Sequence, residues 1–370
     1  MIAIVCDTPY QLMSALLVAG EVAKGERLVF FMNTYLYFEE QKFDYGTAHP
    51  DVEDILYYGR RHMGAGKLLA GLMHPKSMLK HIGGWREEFD ITAVIASRTT
   101  YMATYIYDYY AKKRPDLPLY LIEEGIGEYT NNLVDTRFTK VCAMLRHKTH
   151  MDRVTRAYFS APGLYPYQTP FPIKKIPKLN DWSQDVIDSI FGREKLQQAS
   201  AALDARHCIF LSDPNSCEIT DKGQAAACDV LEHRIIDITA DAAGLDDIII
   251  KVHPIDPNFA KEGVESYYSK IPMESLLYSM DCSNKYFVSS ISTAMLTPKL
   301  LFDAEPCLVF TYKILDKYIS MFLTDPAHKQ RYYDFMEGIM DMYADKSRCA
   351  APATLDELKE ALAVMKDKTR

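Results

Sequence analysis

Two short strings in this chain carry the residue types that acid–base chemistry uses. Glu123-Glu124-Gly125 sets two carboxylates side by side, and His253-Pro254 sets a histidine in front of a proline. A carboxylate can take a proton from a hydroxyl, and a second acid beside it raises its pKa by like charge. An imidazole, with an unperturbed pKa of about 6.5, can give a hydrogen bond or a proton to a departing oxyanion. Each string also has a plain alternative, since an acid or a histidine at a strand end is commonly a satisfied polar residue. A third string, Ser289-Ser290, offers hydroxyls and N–H groups ahead of a helix. That suits an anion, and it suits equally an ordinary helix cap with Ser292 as the capping residue.

The apolar pattern says what positions these groups. Ile248-Ile249-Ile250-Lys251-Val252 is too short and too β-branched for a helix and reads as a buried strand. It must stop near His253, because Pro254 brings no N–H to a ladder and holds the residue before it extended. Leu117 to Ile122 is a strand running straight into Glu123, and Gly125 and Gly127 behind it let a backbone approach a ligand. Residues 2–6, 28–32, 52–58, 90–97, 208–212, 285–288 and 307–310 read as further strands. Helical stretches at 11–22, 99–113, 180–191, 221–237, 273–280 and 293–301 lie among them. This alternation predicts an α/β protein whose parallel sheets are covered on both faces. Such sheets bind ligands beyond the carboxyl ends of their strands, where Glu123 and His253 fall.

A length of 370 residues suits two domains of roughly 150 to 200 residues each. From Pro162 to Pro177 five prolines occur with several aromatics and no periodicity, the composition of a linker. The expected organisation is a first domain over 1–165, a Pro-rich linker over 166–180 and a second domain over 181–370. Facing domains of this kind would bring Glu123 and His253 to opposite walls of one cleft.

Composition excludes several classes. The net charge of −8 argues against a nucleic-acid binder. The eight cysteines are scattered, with no C-x-x-C pair and no His–Cys cluster at zinc spacing, and are expected to be reduced thiols. Met1 to Cys6 reads as a strand and not a secretion signal, and no window approaches the roughly 18 apolar residues that span a bilayer. The expected location is cytoplasmic. Gly64-Ala65-Gly66-Lys67 fails as a P-loop, because Arg61 stands where the first glycine belongs and Leu68 replaces Ser/Thr. Gly125-Ile126-Gly127 fails as a dinucleotide fingerprint, because position 130 is Thr130. Lys67 to Gly83 reads as a helix with a basic face, and Arg137 to Arg156 carries Arg137, Lys140, Arg146, Lys148, Arg153 and Arg156 against only Asp152. Both are solvated faces by default, or contacts for an anionic glycan or a membrane surface.

The ordered set Glu123-Glu124-Gly125, His253-Pro254 and Ser289-Ser290 resembles the bacterial sialyltransferases that decorate lipooligosaccharides and build sialic-acid capsules, a glycosyltransferase family 52-like group related to the polysialyltransferases. Cys6-Asp7-Thr8-Pro9-Tyr10-Gln11 and Ile271-Pro272-Met273-Glu274 are similar to the lipooligosaccharide branch. The resemblance runs from Cys6 to about Leu301. One departure is Glu-Glu where many relatives have Asp-Asp.

The resemblance implies the GT-B fold, two facing Rossmann-like domains with parallel sheets. It also implies an inverting transfer of sialic acid from CMP-sialic acid to a glycan hydroxyl, with no metal and no other cofactor. Glu123 would be the general base and His253 the group that meets the leaving CMP phosphate. Ser289 and Ser290 would bind that phosphate and Glu274 the ribose hydroxyls, with further substrate contacts from Thr8, Gln11, Glu124, Gly125 and Pro254. Asp213 and Pro214, at another strand end, would border the nucleotide. A homodimer and peripheral contact with the inner membrane face complete the expectation. The chain contains no D-x-D, the usual carboxylate site for a metal-bound nucleotide diphosphate sugar, and a single phosphate needs no metal to neutralise it. The rivals are a transferase for another CMP-keto-sugar or a UDP-sugar, and a non-catalytic glycan-binding partner in capsule assembly.

Overall fold

A computed structural model describes residues 1–23, 25–33, 49–59, 71–98, 100–130, 142, 144–145, 148–254, 256–269, 271–319 and 323–369, with 217 and 218 described by backbone alone. The chain divides into two compact units, Met1–Arg193 and Glu194–Arg370. Both are α/β, and each is built on a fully parallel sheet.

The first unit holds seven strands: β1 (Ile2–Cys6), β2 (Leu28–Asn33), β3 (Val52–Tyr58), β4 (Ala93–Ser97), β5 (Leu119–Ile122), β6 (Arg156–Phe159) and β7 (Ile173–Lys175). Their order is β3-β2-β1-β4-β5-β6-β7. The chain winds outward from β1 to β3, returns to β4 and winds outward the other way. The direction reverses between β1 and β4, and at such a switch point an open α/β sheet leaves a crevice beyond its strand ends. β1, β2 and β4 are buried along their whole length, which is why they appear as unbroken apolar runs instead of alternating ones. Helix Pro9–Val22 follows β1 at once, with Pro9 in its first turn and Thr8 as N-cap, its Oγ1 accepting the Gln11 N–H at 3.3 Å.

The second unit repeats the plan with six strands: β8 (Cys208–Leu211), β9 (Ile248–Lys251), β10 (Ser266–Tyr267), β11 (Tyr286–Ser289), β12 (Cys307–Phe310) and β13 (Cys349–Ala350), ordered β10-β9-β8-β11-β12-β13. Its switch point lies between β8 and β11. Ile248, Ile249 and Ile250 are completely buried, each contributing about 1.5–3 kcal/mol relative to exposure. The 22-residue helix Lys222–Ala243 crosses from β8 to β9 and packs against the C-terminal helix Leu355–Thr369.

The domain expectation differs from the structure in two places. The stretch taken as a linker contains β7, the last strand of the first sheet, whose Ile173 pairs with Ala157. Pro170, Pro172 and Pro177 bracket this strand, and Pro172 contributes only its carbonyl, which accepts the Ala157 N–H at 3.0 Å. A three-residue edge strand between prolines leaves no alternation to read. Helix Asp181–Phe191, expected to open the second domain, belongs to the first unit, where Trp182 Nε1 donates to Asp51 Oδ2 at 2.7 Å. The division therefore falls after Arg193. Residues 67–70 of the expected basic helix, the Gly64–Lys67 string and Arg137, Lys140 and Arg146 of the basic run lie outside the described residues.

Candidate functional site

β5 ends at Ile122 and delivers Glu123 into the sheet interior, where it is 0% exposed. Its carboxylate accepts the Tyr10 hydroxyl at 2.5 Å, the Ser160 main-chain N–H at 3.0 Å and the hydroxyls of Tyr129 and Ser160. Burial raises the Glu123 pKa, and the bonds from Ser160, Tyr10 and Tyr129 pull it back down. Sequence reasoning made this acid the general base. In the structure it is a saturated acceptor that ties β5 to helix Pro9–Val22, to helix Ile126–Thr130 and to the end of β6. All four of its donors are protein groups, and its side chain is fully buried.

Glu124 is half-buried. Gly125, at φ 99°, makes the turn that a side chain would strain. A Cβ built on Gly127 would lie 3.2 Å from Glu124 Oε1, so the second glycine gives that carboxylate its seat. Helix Ile126–Thr130 then places Glu128 close by, 0% exposed and 3.1 Å from Arg98 Nε, whose side chain is 6% exposed. Burial pushes the Glu128 carboxyl up to about 8 against the pull of Arg98, and the charges of Glu124 and Glu123 add to the rise.

Thr8 and Gln11 stand at the β1/β4 switch point, and both are engaged by the protein. Thr8 caps its helix, while Gln11, completely buried, accepts the Asp7 N–H at 2.7 Å and lies 3.4 Å from Thr100 Oγ1. Asp7 in turn accepts from Asn33 and Tyr58, each at 2.8 Å.

In the second unit β9 delivers Lys251, Val252, His253 and Pro254 to its carboxyl end. The His253 N–H donates to Ser212 Oγ at 2.9 Å, fixing the backbone of β9 to the end of β8. Burial lowers the imidazole pKa, Asp213 pulls it up, Lys251 pushes it down and Asp256 pulls it up. Lys251 is buried, donates to the Val252 carbonyl at 3.0 Å and is brought down to about 8 by burial, with Glu274 opposing. Glu274, in the first turn of helix Met273–Tyr278, is raised by burial and lowered by Lys251. The fold thus brings Glu274 and the end of β9 into one electrostatic neighbourhood.

Ser289 and Ser290 end β11 and lie across the switch point from β8. Both hydroxyls donate to Asp213 Oδ2, at 2.6 and 2.7 Å, and the Ser290 and Ile291 N–H groups reach the same oxygen at 3.1 and 3.2 Å. The anion that the serine turn holds is a carboxylate of the chain itself. Glu232, buried on helix Lys222–Ala243, accepts the Asp213 N–H at 3.4 Å, and burial with the Asp213 charge beside it pushes its carboxyl up to about 8.

Among the described residues no group of three His, Cys, Asp or Glu side chains is placed to hold a metal ion. The cysteines at 6, 142, 208, 228, 282, 307 and 349 are free thiols. No described helix is long and apolar enough to cross a membrane. The basic run showed only Asp152 as a counter-charge in sequence, yet Arg153 pairs with Asp108 at 2.7 Å, and Lys76 of the basic helix pairs with Glu87 at 2.5 Å. Sequence reasoning did not find Ser160, Tyr10, Tyr129, Ser212, Glu232 or Lys251. Asp213 carried a readable signal, an acid followed by Pro214 at the end of a strong strand.

No protein-family model matches the chain, and no curated protein sequence matches it. Among solved structures it is similar to the GT-B domain of a sialyltransferase from Photobacterium damselae, at 12% identity and TM-score 0.46 over 95% of this chain and 99% of that one. It is also similar to MurG from Acinetobacter baumannii, at 11% identity and TM-score 0.44 over 100% and 94% of the two chains. A UDP-N-acetylglucosamine 2-epimerase from Rickettsia bellii stands at 13% identity and TM-score 0.42 over 93% and 96%. These are distant likenesses.

Proposed function

We propose that the chain is an inverting, metal-independent glycosyltransferase of the GT-B type that moves sialic acid from CMP-sialic acid to a hydroxyl of a lipooligosaccharide or capsule glycan. The observation that carries this reading is the placement of its motifs. Glu124 and the turn at Gly125 lie at the carboxyl edge of the first sheet, His253 and the serine turn lie at that edge of the second, and Glu274 acts on Lys251 at the end of β9. The ligand crevices of parallel α/β sheets open at these edges.

In this reading Glu124, not the buried Glu123, takes the proton from the acceptor hydroxyl. The acceptor oxygen bonds to the anomeric carbon as the bond from that carbon to the CMP phosphate oxygen breaks, and the electron pair leaves on the phosphate. His253, held mainly neutral by burial, donates a ring N–H to that phosphate. Glu274 takes the ribose hydroxyls, with Lys251 fixing its orientation. A homodimer and peripheral membrane contact belong to the same proposal.

The test is nucleotide release from CMP-sialic acid, other CMP-keto-sugars and UDP-sugars in the presence of galactose-terminated acceptors. The reading expects CMP release that depends on acceptor and falls by about 10²-fold or more in His253→Ala. Release of UDP would assign the donor to another class. Glycan binding without turnover of any donor would make the protein a binding partner.

A further inference from the structure

The serine pair and Asp213 form a densely bonded polar cluster in the second unit, and it sits on the switch point. Its donors come from the turn after β11 and its acceptor from the turn after β8. All four bonds reach Oδ2, whereas Oδ1 accepts no hydrogen bond from the described residues. One carboxylate oxygen has about two lone pairs, so four donors saturate it. A second oxyanion cannot share those donors without setting two negative charges in contact.

The neighbours extend the same framework. Asn215 Nδ2 donates to Ser290 Oγ at 2.9 Å, and the Tyr332 hydroxyl donates to the Ser290 carbonyl at 3.3 Å. On the other side Ser212 holds the His253 main chain. The turn Ser212-Asp213-Pro214-Asn215 thus grips the histidine strand with one residue and the serine turn with two others. Ser212, next to Asp213 in the turn after β8, bonds the His253 main chain, the charges of Asp213, Lys251 and Asp256 act on the imidazole, and Glu232 accepts the Asp213 N–H.

We propose that Asp213 is the positioning residue of this half-site: Ser289 and Ser290 act through its carboxylate instead of binding a ligand phosphate with their hydroxyls, and the carboxylate so fixed sets the charge that His253 faces. The proposal rests on reading this edge as the nucleotide half-site. It changes what the serine motif is for. The hydroxyls hold an internal anion, and the ligand phosphate falls to His253 and its surroundings.

The test uses the full-length chain and two readouts. The first is the ring titration of His253 by NMR in the parent and in Asp213→Asn, with the resonance assigned through His253→Gln. The expected result is a lower imidazole pKa in Asp213→Asn, by roughly half a unit or more, because the raising charge is gone. The second is CMP affinity by calorimetry. Ser290→Ala is expected to stay within about threefold of the parent, whereas loss of a direct bond to a phosphate weakens binding roughly tenfold or more. An unchanged His253 titration in folded Asp213→Asn, or a tenfold loss of CMP affinity in Ser290→Ala, overturns the proposal. If Asp213→Asn does not fold, the Ser290→Ala arm decides alone. If CMP does not bind the parent, the functional reading fails and the titration arm still decides the role of Asp213.

Discussion

Ser160 donates to Glu123 twice, its main-chain N–H to Oε2 at 3.0 Å and its hydroxyl to Oε1, so the first acid of the motif is fastened by the protein. Tyr10 and Tyr129 supply the remaining bonds. Glu123→Ala would leave these buried donors without an acceptor, at about 1–3 kcal/mol for each orphaned group. The expected outcome is a loss of at least about 3 kcal/mol of unfolding free energy in urea denaturation. A Glu123→Ala protein as stable as the parent but inactive would return the base to Glu123.

Gly127→Ala separates catalysis from stability. The new Cβ would lie 3.2 Å from Glu124 Oε1, so that carboxylate must shift by a few tenths of an ångström. Gly127 lies in helix Ile126–Thr130, and alanine favours a helix by about 1 kcal/mol over glycine. The melting temperature should hold or rise while kcat falls about tenfold or more, because small misplacements of a reacting group are costly. Unchanged kcat would mean that Glu124 does no chemistry.

His150 predicts an acid-sensitive fold. It is buried, its ring bonded to Thr104 Oγ1 at 2.8 Å and to the Ser97 carbonyl at 3.1 Å, and burial holds its pKa down at about 4. The unfolded chain titrates near 6.5, so between those values it binds more protons than the folded chain. The stability due to the neutral ring is present above about pH 6.5 and is lost as pH falls toward 4, by about 3 kcal/mol. The stability gap between the parent and His150→Asn, measured by urea denaturation, should shrink by that amount from pH 7 to pH 4. A constant gap contradicts the assignment.

Glu232 predicts the opposite slope. Its folded pKa of about 8 lies above the ordinary carboxylate value, so its stabilising neutral form is fully present below about pH 4.5 and is lost as pH rises through 8. Glu232→Gln keeps the side chain neutral at every pH. It should match the parent near pH 5 and exceed it in melting temperature near pH 9. Parallel curves across that range would show that Glu232 is ionised throughout.

The sequence disclosed this site unevenly, for physical reasons. Glu123, Glu124 and His253 were visible because apolar strands stop at them, and a parallel sheet buried on both faces writes its strands as continuous apolar runs. The different surroundings of Glu123 and Glu124 were not visible. They depend on Tyr10, 113 positions before Glu123, and on Ser160, 37 positions after it, and no local pattern reports such partners. Ser289 and Ser290 looked like phosphate ligands because the residue that uses their hydroxyls, Asp213, precedes them by 76 and 77 positions. β7 was missed because Pro172 and its short length hid it, and that error carried the domain boundary with it.

The central claim is that Glu124 takes the acceptor proton, and it is tested most directly by CMP release from CMP-sialic acid by Glu124→Gln at saturating donor and acceptor. The account predicts a folded variant that binds CMP as the parent does and turns over about 10²- to 10⁴-fold more slowly. Turnover equal to that of the parent would contradict it.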